Sequence, residues 1–94
     1  MEKIIEKIKS NESTVVDVRS PMEFAGGHVV NSVNIPVNEL GFRMEEFKTM
    51  KRPIILCCAS GARSGMATNI LKSNGVAEVY NGGSWLDINA VYNS

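Results

Sequence analysis

Hydrophobic side chains recur at helical spacing in some segments of the chain and form short continuous runs in others. Near the N-terminus, Met1, Ile4, Ile5 and Ile8 are three or four positions apart, which is the spacing of one helix face. A second helix is predicted to begin near a cap at Asn38. Its apolar face is formed by Leu40, Met44 and Phe47.

Two further helices are predicted in the second half of the chain. One runs from Arg63 to Asn74, and Gly75 suits the position after its end because glycine readily adopts the left-handed conformation found there. Its apolar side is formed by Met66, Ala67, Ile70 and Leu71. The other runs from Trp85 to Tyr92. A shorter helical turn is expected earlier, where Ser20-Pro21-Met22-Glu23 form a capping box and Gly26-Gly27 end the turn.

Short runs of β-branched and apolar residues between these helices predict strands. The predicted strands are Thr14–Val18, Val33–Ile35, Ile54–Cys58 and Glu78–Tyr80. The third run has no strongly polar residue, as expected for a central strand that is buried on both faces. Gly82-Gly83 are expected to break the last strand. Because strands alternate with helices, we expect a single α/β domain over residues 1–94, with a mostly parallel sheet of four or five strands.

Charge and composition exclude several classes of function. Lysine plus arginine equals aspartate plus glutamate, ten of each, so no excess charge favours a nucleic acid or a membrane surface as a partner. No apolar run has the length of a membrane span or the pattern of a signal peptide, and a cytoplasmic location is expected. Cys57 and Cys58 are adjacent, which argues against a disulfide framework, and with one histidine no metal site is expected.

The cysteine at the end of the apolar strand is the strongest candidate for chemistry. Ligands bind beyond the carboxyl ends of the strands in open parallel sheets, and Cys58 lies at such an end. The turn that follows is expected to point backbone N–H groups inward and, with the next helix N-terminus, to form an anion-binding cradle. The cradle is predicted to comprise Ala59, Ser60, Gly61, Ala62, Arg63 and Ser64. Because such a cradle lowers the pKa of a thiol, Cys58 is predicted to be a nucleophilic thiolate at neutral pH.

The pattern of this loop, Cys-x-x-Gly-x-Arg-Ser, resembles the active-site loop of the rhodanese family. Three further segments, spread between about residues 14 and 85, resemble the motifs of that family in the same order. They are Asp17-Val18-Arg19 with Glu23-Phe24, Gly27-His28-Val29 with Asn34-Ile35-Pro36, and Val79-Tyr80-Asn81 with Gly82-Gly83 and Trp85. The resemblance implies a three-layer rhodanese-like domain with helices on both faces of the sheet.

The resemblance also implies a reaction in two steps. The Cys58 thiolate takes a sulfane sulfur from a small donor such as thiosulfate. The resulting persulfide passes that sulfur to an acceptor, which is a thiol, a thiol-bearing protein or cyanide. Backbone amides from Ala59 to Ser64 hold the persulfide, and no cofactor or metal is required. The chain is accordingly predicted to be an enzyme similar to thiosulfate sulfurtransferases.

Two other functions remain open at this point. The loop carries no charged residue other than Arg63. It therefore also suits a module that carries a persulfide to a partner protein, or docks on one, with little free turnover. A cysteine phosphatase is less favoured. The related phosphatases use a Cys-x5-Arg loop, which is one residue longer than the six residues from Cys58 to Arg63.

Several other residues are assigned supporting or structural roles. A polar network that braces the Cys58 loop is predicted from Asp17, Arg19 and Glu23. Arg63 is expected either to orient the loop or to attract anions, and His28 to be a hydrogen-bonded structural residue. Cys57 points away from Cys58 because side chains alternate along a strand, and it is expected to lie in the core.

Overall fold

The computed structural model describes residues 2–93 and alternates helices with short strands. The helices are α1 (Glu2–Lys9), α2 (Pro21–Ala25), α3 (Met44–Lys48), α4 (Ala62–Ser73) and α5 (Trp85–Tyr92), with a 3₁₀ helix at Val37–Phe42. The strands are β1 (Thr14–Asp17), β2 (Val33–Asn34), β3 (Ile54–Cys58) and β4 (Val79–Ser84). Met1, which the sequence pattern assigns to the first helix, lies outside the described residues. Within residues 2–93, no helix combines the length and the apolar character that crossing a lipid bilayer requires.

Strand β3 lies inside the sheet because its side chains are apolar on both faces. The four strands have the order β2-β1-β3-β4, and each neighbouring pair is parallel. All five residues of β3 are buried. Parallel neighbours need long crossover connections, which the helices supply. The arrangement confirms the predicted α/β fold with a parallel sheet.

Alternate residues of β3 contribute to two separate hydrophobic cores. Ile54, Leu56 and Cys58 pack with residues of the 3₁₀ helix, α3 and α4 on one face of the sheet. Ile55 and Cys57 pack with residues of α1 and α5 on the other face. Helices therefore cover both faces, and the two cysteines point into different layers, as the alternation of side chains along a strand predicts.

Helix α2 begins with the predicted capping box, directly after the carboxyl end of β1. The Ser20 hydroxyl accepts a hydrogen bond from the N–H of Glu23 at 3.2 Å, and the Glu23 carboxylate accepts one from the N–H of Ser20 at 3.1 Å. Pro21 occupies the first helical position, and Gly26 follows the last one. The capping box therefore fixes the position of the Glu23 carboxylate.

The prediction of one continuous helix that begins near Asn38 is wrong. The chain forms the 3₁₀ helix Val37–Phe42, which has no side-chain cap, and then the separate helix α3. Arg43 lies between them with φ −116° and ψ 17°, which is not a helical conformation. Gly41, which has a low helix propensity, lies two residues before this interruption. The apolar spacing nevertheless identifies two core residues correctly: Leu40 and Phe47.

Helix α4 buries Ala67 and Leu71, as its apolar pattern predicts, but leaves Met66 and Ile70 outside the core. Met66 and Ile70 are 57% and 36% exposed. The buried positions, which have the spacing of one helix face, are Ser64, Ala67, Thr68 and Leu71. This rotation of the helix brings Oγ of Ser64 to 3.4 Å from Sγ of Cys58. Gly75 follows the end of the helix with φ 79°, as predicted.

The sequence pattern predicts that Gly82-Gly83 break the last strand. In the structure they lie inside it. Strand β4 continues to Ser84, and its pairing with β3 shifts by one residue between Leu56 and Cys57. Glycine is required at position 82 because a Cβ atom there would lie 2.6 Å from Cδ1 of Ile88. This close approach lets β4 run beside β3 to its carboxyl end.

Candidate active site

The loop between β3 and α4 points backbone N–H groups at the sulfur of Cys58. The N-cap of α4 is Gly61, which has φ 102°, a conformation that residues with side chains rarely adopt. Its N–H donates to Sγ of Cys58 at 2.9 Å. Ser64, in the first turn of α4, donates its N–H to the same sulfur at 3.4 Å. The sulfur therefore lies at a helix N-terminus, where N–H groups favour a negative charge.

The balance of burial and hydrogen bonding sets the acidity of Cys58. Burial of the sulfur raises the pKa of the thiol. The main opposing causes are hydrogen bonds that the thiolate form accepts from the hydroxyl and the N–H of Ser64, followed by those from the N–H groups of Gly61 and Ser60. Together they lower the pKa of Cys58 from 9.0 to about 7. The thiol of Cys58 therefore ionises at a lower pH than an ordinary cysteine.

The Cys58 sulfur is covered by its own loop. Cys58 has no exposed surface, whereas Ala59, Ser60 and Ala62 are exposed on the outside of the turn.

Arg63 connects the start of α4 to α2. Its guanidinium donates two hydrogen bonds to the Glu23 carboxylate, of 2.7 Å and 3.0 Å. The hydrogen bonds from Arg63, together with that from the N–H of Ser20, lower the pKa of Glu23 to about 2. The pair is therefore charged at all ordinary pH values. Of the two roles predicted for Arg63, this geometry favours orientation of the loop over attraction of anions.

Asp17 and Arg19 form a buried ion pair that lies beside the loop rather than on it. Nη2 of Arg19 donates to Oδ2 of Asp17 and to the carbonyl of Gly27, both at 2.7 Å. The guanidinium carbon also lies 4.7 Å from the ring centre of Trp85. The predicted network is therefore two separate pairs. Within the described part of the chain, Glu23 is the one predicted supporting residue that hydrogen-bonds to the loop.

Cys57 has the opposite environment from its neighbour. Its side chain is fully buried in the core between the sheet, α1 and α5. Burial raises the pKa of Cys57 to about 12, and the nearby Asp17 carboxylate adds to the rise. Cys57 is therefore a neutral thiol at physiological pH, and the structure confirms the prediction that it belongs to the core.

Asn81 joins β4 to the loop, although the sequence analysis assigns it no role in the site. Its Oδ1 accepts hydrogen bonds from the Ser64 hydroxyl at 2.6 Å and from the N–H of Gly83 at 3.0 Å. Its Nδ2 donates to the carbonyl of Gly61 at 3.2 Å. Ser64 and Gly61 are 17 and 20 residues away in the chain, so no local pattern reveals these contacts. The available signal was the position of Asn81 in the family-like segment Val79-Tyr80-Asn81.

His28 has a local structural role, as predicted. Its Nδ1 lies 2.7 Å from the carbonyl oxygen of Phe24, and its ring stacks on the Phe24 ring with centroids 3.7 Å apart. Among residues 2–93, the His, Cys, Asp and Glu side chains form no group of three that could hold a metal ion.

The parallel α/β sheet carries a cysteine loop at its carboxyl edge, with backbone N–H groups directed at the sulfur. The sequence profile of the family described as "Rhodanese-like domain" matches residues 1–87. The chain therefore belongs to the rhodanese family, and the family resemblance drawn from its motifs is confirmed.

Individual relatives agree with this assignment. The uncharacterized protein YqhL of Bacillus subtilis (strain 168) is 43% identical over 70 residues, which cover 74% of this chain and 55% of YqhL. The chain thus spans about half the length of that relative. Thiosulfate sulfurtransferase GlpE of Ectopseudomonas mendocina (strain ymp) is 33% identical over 78 residues, covering 80% of this chain and 68% of GlpE. Named relatives of this kind support sulfur transfer as the general chemistry of the family.

A solved structure shows the same fold. The crystal structure of a rhodanese-related protein from Thermoplasma volcanium matches with a TM-score of 0.72 and 33% sequence identity. The match covers 92% of this chain and 86% of that protein. The predicted rhodanese-like arrangement of sheet and helices is therefore confirmed.

Proposed function

We propose that this chain is a sulfurtransferase that carries a sulfane sulfur as a persulfide on Cys58. The proposal rests on one observation, the N–H groups of Gly61 and Ser64 that donate to the Cys58 sulfur at the end of β3. Fixed donors of this kind stabilise the negative charge of a thiolate or a persulfide. The residues proposed to form the cradle are Ala59, Ser60, Gly61, Ala62, Arg63 and Ser64.

Each half-reaction transfers one neutral sulfur atom. The Cys58 thiolate attacks the outer sulfur of a donor such as thiosulfate, a new S–S bond forms, and sulfite leaves with the electron pair of the broken S–S bond. A thiolate or cyanide then attacks the outer sulfur of the persulfide, and Cys58 leaves as a thiolate. A low pKa helps this second step because acidic thiols are better leaving groups. Atoms and charge balance in both steps without a cofactor.

Intact mass spectrometry tests the proposal directly. The wild-type protein is expected to gain the mass of one sulfur atom after treatment with thiosulfate, and to lose it after addition of cyanide or a thiol. Cys58→Ser should abolish the gain. Cys57→Ser is the matched control and should retain it, because Cys57 lies on the other face of the sheet. A folded wild-type protein that gains no sulfur, or that gains it on Cys57, would contradict the proposal.

One observation favours a second candidate function, a persulfide carrier for a partner protein. Arg63, the one cation of the proposed cradle, is bound to Glu23 and is not directed at the sulfur. Attraction of a dianion such as thiosulfate is correspondingly weak. Slow turnover with thiosulfate and cyanide, beside rapid transfer to one protein acceptor, would select the carrier function over free turnover.

A phosphatase activity is disfavoured for two reasons. The loop from Cys58 to Arg63 has six residues, one fewer than a Cys-x5-Arg loop. The arginine that would bind a phosphate is already engaged by Glu23. Hydrolysis of an aryl phosphate by the wild-type protein, but not by Cys58→Ser, would restore this alternative. A cytoplasmic location remains a prediction.

A further inference from the structure

The hydroxyl group of Ser64 lies between two atoms that compete for its one proton. Its Oγ is 2.6 Å from Oδ1 of Asn81 and 3.4 Å from Sγ of Cys58. A serine hydroxyl has one proton to donate and two lone pairs that accept. It can therefore donate to Asn81 or to the sulfur, but not to both at once.

The orientation of the Asn81 amide follows from its other partners. The N–H of Gly83 can only donate, so the amide atom 3.0 Å from it must be Oδ1. The carbonyl of Gly61 can only accept, so the amide atom 3.2 Å from it must be Nδ2. The reverse orientation would place donor against donor and acceptor against acceptor. Oδ1 is thus an acceptor, and Ser64 is the donor in the short bond between them.

The position of the Ser64 proton affects the two charge states of Cys58 differently. When Ser64 donates to Asn81, it presents a lone pair to the sulfur, which favours the S–H form. When the proton turns to the sulfur, it stabilises the thiolate, and the bond to Asn81 is lost. We propose that Asn81 is a positioning residue that holds the Ser64 proton away from Cys58 until the sulfur is charged. The inference rests on the proposed function, because it concerns the reactivity of the same sulfur.

Substitution of Asn81 leaves the titratable groups near Cys58 in place. These titratable groups are Cys57 on β3, Asp17 and Arg19 at the end of β1, Glu23 on α2 and Arg63 on α4. The hydrogen bonds of Asn81 go instead to Ser64, Gly61 and Gly83. A changed ionisation of Cys58 in an Asn81 variant therefore reports on the amide and not on a displaced charge.

The ionisation midpoint of Cys58 is measured by following the ultraviolet absorbance of the thiolate as the pH is raised. The absorbance of Cys58→Ser at each pH is subtracted. Asn81→Ala frees the Ser64 proton for the sulfur, and we expect the midpoint to fall by about one pH unit, the effect of one charge-assisted hydrogen bond. In a Ser64→Ala background the same substitution should leave the midpoint unchanged, because no proton is released. Asn69→Ala, at an exposed position of α4, is the matched control.

A purely structural role for Asn81 predicts a different result. Loss of the bond to the Gly61 carbonyl alone would loosen the cradle and raise the midpoint, with or without Ser64. A raised or unchanged midpoint, or an equal fall in both backgrounds, would overturn the proposal. Should Asn81→Ala fail to fold, Asn81→Val provides the same test with a side chain that favours strands.

Sulfur uptake, measured by mass in the same samples, separates failure of this inference from failure of the proposed function. An unchanged midpoint together with normal sulfur uptake on Cys58 would overturn the role of Asn81 alone. A lowered midpoint in Asn81→Ala, in a protein whose wild type takes up no sulfur, would overturn the proposed function alone.

Discussion

Cys57 and Cys58 are neighbours on one strand, yet the two faces of the sheet give their thiols opposite acidities. On the face covered by α1 and α5, burial raises the pKa of Cys57 to about 12. On the other face, hydrogen bonds outweigh burial and lower the pKa of Cys58 to about 7. Neither side chain has any exposed surface. The difference therefore arises from the groups that each sulfur meets, and not from burial itself.

The source of those groups is the end of the strand. Backbone N–H groups within a sheet are already paired with neighbouring strands, whereas those in the first turn of a helix have no partner in the helix. Cys58 is the last residue of β3, and its sulfur therefore meets the free N–H groups of Gly61 and Ser64. The side chain of Cys57 points to the opposite face, where it meets the core. A shift of one residue along the strand separates a thiol of lowered pKa from one of raised pKa.

The largest expected effect is a difference in reactivity between these two thiols. Because the pKa of Cys58 is lowered to about 7 and that of Cys57 is raised to about 12, iodoacetamide should alkylate Cys58 at least about a hundredfold faster near neutral pH. The rate at Cys58 should rise as the pH passes about 7 and then level off, because thiolate is gained as the pH passes the lowered pKa. Peptide mass mapping measures both rates. Equal alkylation rates at the two cysteines, or a rate at Cys58 that rises only near pH 9.0, would show that the pKa of Cys58 is not lowered.

The next effect concerns the charged pair near Cys57. The side chains of Asp17 and Arg19 are 0% and 5% exposed, so Asp17→Asn leaves a buried cation without its counter-ion. We expect the free energy of unfolding to fall by about 3 kcal/mol, measured by urea denaturation. Glu45→Gln, which removes the exposed ion pair with Lys48, is the control and should cost less than about 0.5 kcal/mol. Equal losses would show that burial does not strengthen the Asp17–Arg19 pair.

A smaller effect is expected from the backbone of the loop on the Cys58 side. Gly61→Ala strains a residue with φ 102° and shifts its N–H away from the sulfur. The Cys58 midpoint should rise by up to about one pH unit, and stability should fall by about 1 kcal/mol. Gly75→Ala is a matched control, because Gly75 has φ 79° and open space around it. It should lose similar stability without moving the midpoint; a shift of the midpoint in both variants would mean that strain alone is responsible.

The position of Cys58 at the end of a buried strand, followed by a turn and a helix, could be predicted from the sequence because the signals are local. A continuous apolar run, a turn of small residues and a following helix lie next to one another between Ile54 and Asn74. Alternation along the strand also placed Cys57 in the core. The family motifs added the overall fold. These features need no knowledge of distant contacts.

Of the partners of the loop, Glu23 was predicted as a bracing residue, whereas Asn81 was not. Arg63 meets Glu23 across 40 residues of chain, and Ser64 meets Asn81 across 17. The buried face of α4 was predicted correctly at Ala67 and Leu71 but not at Met66, for a related reason. A count of apolar positions favours burial of Met66, whereas the polar Ser64 lies inward and contacts Cys58. Long-range polar contacts of this kind leave no periodic trace in the sequence.

The smallest expected effect tests whether the loop cation contributes to the acidity of Cys58. Because Arg63 lowers the pKa of Glu23 to about 2, acid does not break their pair within a usable pH range, and a substitution is needed. Glu23→Gln keeps a residue that suits the capping box but releases the Arg63 charge toward the nearby sulfur. The Cys58 midpoint should fall by a few tenths of a pH unit at low salt and return at high salt, because an exposed charge is screened.

The control for this last effect is a matched arginine–glutamate pair elsewhere in the chain. Glu39→Gln removes one carboxylate partner of Arg43 and should leave the Cys58 midpoint unchanged. Uptake of thiosulfate should become faster in Glu23→Gln alone, because the released cation attracts the dianion. An unchanged midpoint and unchanged uptake at low salt would show that Arg63 acts only as a link between α4 and α2. The low pKa of Cys58 would then come entirely from the hydrogen-bond donors of its own loop and helix.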